Sequence, residues 1–330
     1  MSIKIAVLPT TKTQKRIFNA SHYAQLEAIG EVVCNPGDTS DPAATKINIQ
    51  NADIAITSWG CPHLEKEILD AAPNLRAVFH SAGSVKPIVT DELWRRGIRV
   101  SSANGPLGRG VAETALGLTI TSLKDMWHLS KRMESGGWSE TRVNVRELYD
   151  ITIGVIGAGK AGQYYIDLLR NFDVEILIYD PFVTEEKARA MGAVKVELEE
   201  LMTRADVVSI HAPSLPSTHK MINAARLELM KDDAIIINTA RGSIIDEPAL
   251  IAELSKGRLF ACIDVTDPEP PPADHPFRSL PNCILLPHIA GSVNNGVRRL
   301  GQFSIDEIKR LLADEPLEGE VTEAQMMVLA

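Results

Sequence analysis

From residue 151 to residue 288 the chain alternates between two hydrophobic rhythms. Short apolar runs recur: ITIGVIG, VEILIYD, DVVSIHA, AIIINTA, LFACIDV and CILLPH. Runs this short, apolar and rich in β-branched residues predict strands buried on both faces. Between them lie stretches such as KAGQYYIDLLRNF, where Ala161, Tyr165, Leu168, Leu169 and Phe172 fall at helical spacing. Strand and helix repeated in this order predict a doubly wound, parallel α/β sheet.

Residues 1–102 alternate less cleanly. IKIAVLP, GEVVCNP, DIAITSW, LRAVFHSA and GIRVSSA read as strands of a second, smaller α/β unit. The stretch 109–133, RGVAETALGLTITSLKDMWHLSKRM, reads as one long, apolar-striped helix. NNGVRRLGQFSIDEIKRLLADEP is helical again, and the closing VTEAQMMVLA has no pattern that assigns it a role. The simplest arrangement inserts 103–293 into a domain built from 1–102 and 294–330, with a cleft where the strands of the two sheets end.

Composition narrows the choice of partner. The 330 residues are 45% hydrophobic and 23% charged, as in a globular protein, and the net charge is −9. An acidic chain without a Lys/Arg block argues against nucleic acid or an anionic membrane as main partner. No run approaches the ~20 apolar residues of a membrane span, and the N-terminal apolar run is too short for a signal-peptide core. Cys34, Cys61, Cys262 and Cys283 are scattered, which points to buried thiols in a reducing compartment and to neither disulfides nor a metal site. The expected location is the cytoplasm.

GVIGAGKAG places Gly157, Gly159 and Gly162 in G-x-G-x-x-G spacing, after a strand and at the start of a helix. Gly157 suits the tight turn, Gly159 lets a pyrophosphate approach the backbone, and Gly162 allows close packing of helix on strand. The helix N-terminus offers its N–H groups to the phosphates. Asp180 ends the next strand, where a carboxylate can accept the ribose hydroxyls. These residues predict a Rossmann-type dinucleotide site. Asp180, with no arginine beside it, predicts NAD over NADP, because a 2′-phosphate would meet a like charge.

Further polar residues stand at strand ends. Arg241 follows AIIINTA, Asp264 ends LFACID, Glu269 lies five residues beyond it, and His288 ends CILLPH. Each has a bland reading taken singly: His288 as a strand cap, Glu269 in a proline-rich surface loop, Arg241 paired with Asp246. In a doubly wound sheet, however, the C-terminal strand ends converge on the cofactor crevice.

Together these motifs resemble the D-isomer-specific 2-hydroxyacid dehydrogenase family. GVIGAGKAG…YDP, HAP, INTARGSIIDEPAL, DVTDPEP and LLPHIAG match it in order and spacing over most of 105–300. The resemblance implies a Rossmann-type NAD domain inserted into a flavodoxin-like substrate domain, and a homodimer. It implies hydride transfer between NAD(H) and a small 2-oxo or D-2-hydroxy acid of the glyoxylate, hydroxypyruvate or phosphoglycerate kind. Arg241 is then similar to the family's substrate-binding arginine, Glu269 to the paired acid and His288 to the catalytic histidine. Asp264 resembles the aspartate that holds the nicotinamide carboxamide, and Ala212 of HAP and Thr239 of INTAR join the cofactor contacts. The loop HSAGSVKPIV departs from the family's usual sequence, yet Ala82, Gly83 and Ser84 can still present N–H groups to a carboxylate. Trp59 reads equally as a cleft residue or a core tryptophan, and Arg109 as a surface residue rather than a ligand contact. Two other activities on this fold remain as alternatives: phosphite oxidation, and NAD(H) sensing of the corepressor type.

Overall fold

The computed structural model describes residues 3–138, 145–327 and 329. The chain divides into two units, Met1–Leu107 with Ser292–Ala330, and Gly108–Gly291.

The first unit begins with β1 (Lys4–Val7), β2 (Glu31–Cys34), β3 (Ile54–Thr57), β4 (Ala77–His80) and β5 (Arg99–Ser102). They pair in parallel in the order β2-β1-β3-β4-β5. The helix Asn104–Leu123 carries the chain into the second unit. There β6 (Tyr149–Ile156), β7 (Asp173–Tyr179), β8 (Val194–Lys195), β9 (Val207–Ile210), β10 (Ile235–Asn238), β11 (Phe260–Ile263) and β12 (Cys283–Leu285) form one parallel sheet. Its order is β8-β7-β6-β9-β10-β11-β12, so the winding reverses between β6 and β9. Crevices that bind ligands open at such reversals.

The expected class of two α/β units, one a Rossmann-type parallel sheet, is what the chain forms. Strand β10 shows why its run is unbroken: Ile236 packs into one core cluster, Ile235 and Ile237 into the cluster on the opposite face. Burying such a side chain contributes about 1.5–3 kcal/mol each.

One expectation needs correction. The stretch 109–133 is not one helix: Asn104–Leu123 ends, and Met126–Glu134 begins after Asp125, whose φ is +51°. Aspartate tolerates this left-handed conformation better than most residues, and Met126–Glu134 buries none of its residues. An apolar stripe cannot reveal a single reversed residue within it. The C-terminal stretch also has a place in the fold. Its β13 (Glu320–Val321) adds an antiparallel edge beside β5. The buried Glu307 holds this return, accepting from Glu318 N at 2.9 Å, Gly319 N at 3.0 Å and Ser101 Oγ at 2.5 Å. A two-residue strand fixed by one glutamate has no period to read. Val328 and Ala330 lie outside the described residues.

Candidate active site

Parallel register sets the site's first dimension. Ile156 pairs with Ile210, Ile210 with Asn238, Asn238 with Ile263, and Ile263 with Leu285. Five strands thus end on one level, and whatever follows each of them comes to the same edge.

After β6 comes the glycine turn. Gly157 has φ +97°, and a Cβ there would lie 2.7 Å from Ala212 N. A Cβ on Gly162 would lie 2.1 Å from Gly157 O, so the helix Lys160–Leu169 packs onto the turn itself. A Cβ on Gly159 would meet nothing within 4 Å, which leaves open space in front of that helix's N-terminus. Asp180, after β7, accepts from Ala158 N at 2.7 Å and from Phe182 N at 2.8 Å, one bond on each oxygen. Each carboxylate oxygen retains acceptor capacity for a hydroxyl.

After β10, Asn238 folds the turn that presents Arg241. Its side chain accepts from Ala240 N at 3.0 Å and donates to Arg241 O at 2.9 Å. Gly242 is required next, since a Cβ there would lie 2.1 Å from the Thr266 carbonyl carbon. Arg241 does not pair with Asp246, which lies against Lys220 at 3.4 Å. Its Nη1 donates to Ala240 O at 2.7 Å. Although the residue is exposed, desolvation of its guanidinium lowers the pKa, and the Glu269 charge acts the other way. Arginine remains a cation throughout the physiological range.

After β11 and β12 the chain builds a histidine–carboxylate pair. His288 Nδ1 lies 2.5 Å from Glu269 Oε1, with both side chains about half exposed. His288 has φ +52°, a strained value for a residue with a Cβ. Asp264 supplies the restraint. Its backbone carbonyl accepts from His288 N at 3.0 Å, and its carboxylate accepts from Ile289 N at 2.8 Å and Ala290 N at 2.9 Å. Burial raises the Asp264 pKa and the two backbone donors oppose that rise. The carboxylate that the resemblance assigned to the carboxamide thus also clamps the turn carrying His288. Beside the pair opens a cavity of about 340 Å³, lined by Asp264, Thr266, Glu269, Pro270, Arg278 and His288.

Sequence reasoning missed the braces beneath this loop. Glu247 Oε1 accepts from Asp267 N at 2.9 Å, and its Oε2 lies 3.1 Å from His275 Nε2. Burial raises the Glu247 pKa against both bonds. The only sequence signal was a glutamate at the first turn of a helix, which a capping preference explains as well.

In the first unit, Ala82, Gly83 and Ser84 follow β4, and Ala82 is fully buried. Trp59 follows β3 and is 40% exposed, so it is not a core tryptophan. In the second unit, Arg109 lies over the Tyr164 ring, 5.2 Å from its centroid.

Near the glycine turn and the β10 end, two buried polar atoms have no partner among the described residues: His211 Nδ1 and Thr239 Oγ1. Ala212 follows His211 directly and touches the turn through its backbone. Unpaired buried donors and acceptors are costly unless a ligand satisfies them. With the open space before Gly159 and the acceptor capacity of Asp180, these residues fit a dinucleotide.

A parallel doubly wound sheet with such a crevice defines a dinucleotide-binding fold. Residues 116–290 match the profile described as D-isomer specific 2-hydroxyacid dehydrogenase, NAD binding domain. The chain is 33% identical over 298 residues to a D-3-phosphoglycerate dehydrogenase of Methanocaldococcus jannaschii, covering 90% of this chain and 56% of that one. It is 30% identical over 308 residues to a glyoxylate reductase of Thermofilum pendens, covering 91% of each. A solved phosphoglycerate oxidoreductase from Rhizobium etli superposes with a TM-score of 0.84 over 98% of this chain and 99% of that one; at 23% identity it shows the shared fold. The chain belongs to the D-isomer specific 2-hydroxyacid dehydrogenase family, and its cofactor is NAD. It spans about half the length of the phosphoglycerate dehydrogenases it matches. No helix among the described residues is long and apolar enough to cross a membrane.

Proposed function

We propose that the protein is an NAD-dependent oxidoreductase that interconverts a small 2-oxo acid and the D-2-hydroxy acid. The observation that carries this reading is the His288–Glu269 pair at 2.5 Å, on the strand edge that also bears Arg241. When bound, NADH supplies the hydride that adds to C2 of the 2-oxo acid. His288 delivers the proton to the C2 oxygen. Its Nδ1 is engaged by Glu269, so Nε2 is the atom that faces the reaction. Glu269 stabilises the imidazolium and fixes the ring, and half-exposed His288 recovers its proton from water. Arg241 grips the substrate carboxylate and the C2 oxygen with its planar fork. Gly157, Gly159, Gly162 and Asp180 hold the pyrophosphate and ribose, with Ala212, Thr239 and Asp264 completing the cofactor contacts.

Within the first unit, the Ala82–Ser84 loop is the candidate that presents N–H groups to a carboxylate, and Trp59 is the candidate beside it. The similarity to a glyoxylate reductase across 91% of each chain supports a substrate of two or three carbons. A cytoplasmic homodimer completes the reading. Exposed Met126, Met133 and Trp138, on or just after a helix with no fully buried residue, support a protein partner there. The test is a panel of 2-oxo acids at fixed NADH, followed at the nicotinamide absorbance. Turnover of glyoxylate or hydroxypyruvate supports the proposal, and inertness toward the whole panel overturns it.

A further inference from the structure

The loop after β4 is anchored through its carbonyls. His80 O accepts from Ala103 N at 3.0 Å. Ser81 O accepts from Ser58 Oγ at 3.0 Å. Ser102 Oγ donates to Gly83 O at 2.5 Å and lies 3.4 Å from Ala82 O, a weak second contact. The His80 ring bonds to the backbone of Ser84, and its Nδ1 lies 3.0 Å from Thr57 Oγ1. Thr57, Ser58, His80 and Ser102 are all buried. Anchored carbonyls leave the opposite groups of the same peptides as the loop's open face. The N–H groups of Ala82 and Gly83 donate to nothing among the described residues. Successive free N–H groups of this kind form a concavity suited to an anion.

His80 is the one member of this set that ties the far end of the loop back to its start. Burial holds its pKa down to about 4, so the ring is neutral in the physiological range. A neutral imidazole has one donor and one acceptor. The donor matches the Ser84 carbonyl and the acceptor matches the Thr57 hydroxyl. A cation would be desolvated in this site, which faces β3 and β5 with no carboxylate partner among the described residues.

We infer that His80 is a positioning residue for substrate binding: held by Thr57 and fastened to Ser84, it fixes the loop so that the Ala82 and Gly83 amides meet the substrate's carboxylate. His80 is 3% exposed and takes no part in proton transfer. The inference rests on the proposed reduction of a 2-oxo acid.

The experiment compares His80→Leu, His80→Gln and Thr57→Val with wild type, as full chains. Leucine removes both hydrogen bonds, glutamine retains a donor and an acceptor, and Thr57→Val removes only the hydroxyl. KM for hydroxypyruvate should rise about tenfold in His80→Leu, with kcat within about threefold, as expected for lost ground-state binding. Thr57→Val should move KM the same way by a smaller factor, and His80→Gln should restore it. The NADH dissociation constant, read by fluorescence, should not change. Hydrogen exchange of residues 80–86 gives a readout independent of turnover: it should accelerate about tenfold in His80→Leu and not in His80→Gln. An equal loss in kcat with KM unchanged, or loop exchange unchanged in both His80→Leu and Thr57→Val, overturns the inference. If His80→Leu does not fold, Thr57→Val decides by the same two readouts. A wild-type protein inert toward 2-oxo acids fails the proposed function, and the exchange measurement then still decides whether His80 sets the loop.

Discussion

His288 Nδ1 and Glu269 Oε1 meet at 2.5 Å although nineteen residues separate them in the chain. The meeting is built from below: Asp264 clamps the backbone around His288, and Glu247 clamps Asp267, two residues before Glu269. Glu269→Gln keeps the shape and removes the charge that stabilises the imidazolium. General acid–base partners contribute roughly 100- to 10,000-fold, so reduction of hydroxypyruvate should lose at least about 100-fold in kcat/KM. The pair is half exposed, so the melting temperature should barely move. A kcat/KM within about threefold of wild type, in steady-state assays, would show that the pair is not the acid.

The glycines make separable predictions. Gly162→Ala drives a Cβ to 2.1 Å from Gly157 O, so the turn must shift, and both melting temperature and NADH affinity should fall. Gly159→Ala meets nothing in the protein, and Gly159 has φ −64°, which alanine adopts freely. Its melting temperature without cofactor should match wild type while the NADH dissociation constant rises about tenfold or more. Calorimetric titration with NADH, alongside thermal melts, checks both. Equal NADH affinity in Gly159→Ala would remove the pyrophosphate from this turn.

Asp180 should set the choice of dinucleotide. Its two oxygens already hold Ala158 N and Phe182 N, which fixes a negative charge where a 2′-phosphate would lie. Wild type should favour NADH over NADPH by about 100-fold or more in kcat/KM, and Asp180→Ser should narrow that ratio by at least about tenfold. Equal use of both cofactors by wild type would contradict the assignment.

Much of this arrangement is written locally in the chain. Unbroken apolar runs reveal strands buried on both faces, and the glycine spacing reveals the turn after β6. Arg241, Asp264 and His288 follow strand ends, so parallel register brings them to one edge without knowledge of the loops. What escaped depends either on a single backbone angle or on contacts that a hydrophobic period does not record. The helix break at Asp125 rests on one backbone angle. β13 rests on the buried Glu307. His80 reads as a histidine at the end of a strand, and its partner Thr57 appears only when β3 and β4 pair. Asp264 reads as a cofactor ligand, and its bonds to Ile289 and Ala290 emerge only in the fold.

Acid should destabilise both units. Burial lowers the pKa of His211 to about 4, and that of His80 to about 4. Between pH 6.5 and 4 the unfolded chain binds protons at these positions and the folded chain does not. Their stabilisation is therefore fully present above pH 6.5 and is lost as pH falls toward 4. The loss is on the order of 3 kcal/mol for each histidine. Chemical unfolding followed at several pH values between 7 and 4.5 checks this. His211→Gln should flatten the dependence by up to about 1.4 kcal/mol per pH unit. An unchanged slope would mean that His211 titrates alike in both states.

In the proposed reaction His288 gives a proton to a 2-oxo acid as NADH reduces it to the D-hydroxy acid. The most direct measurement is the reduction of hydroxypyruvate by NADH, with chiral analysis of the glycerate formed, for wild type and for His288→Asn. Wild type should yield D-glycerate. His288→Asn should bind NADH normally and lose about 1,000-fold or more in kcat. Formation of L-glycerate, or turnover by His288→Asn near the wild-type rate, would contradict the account.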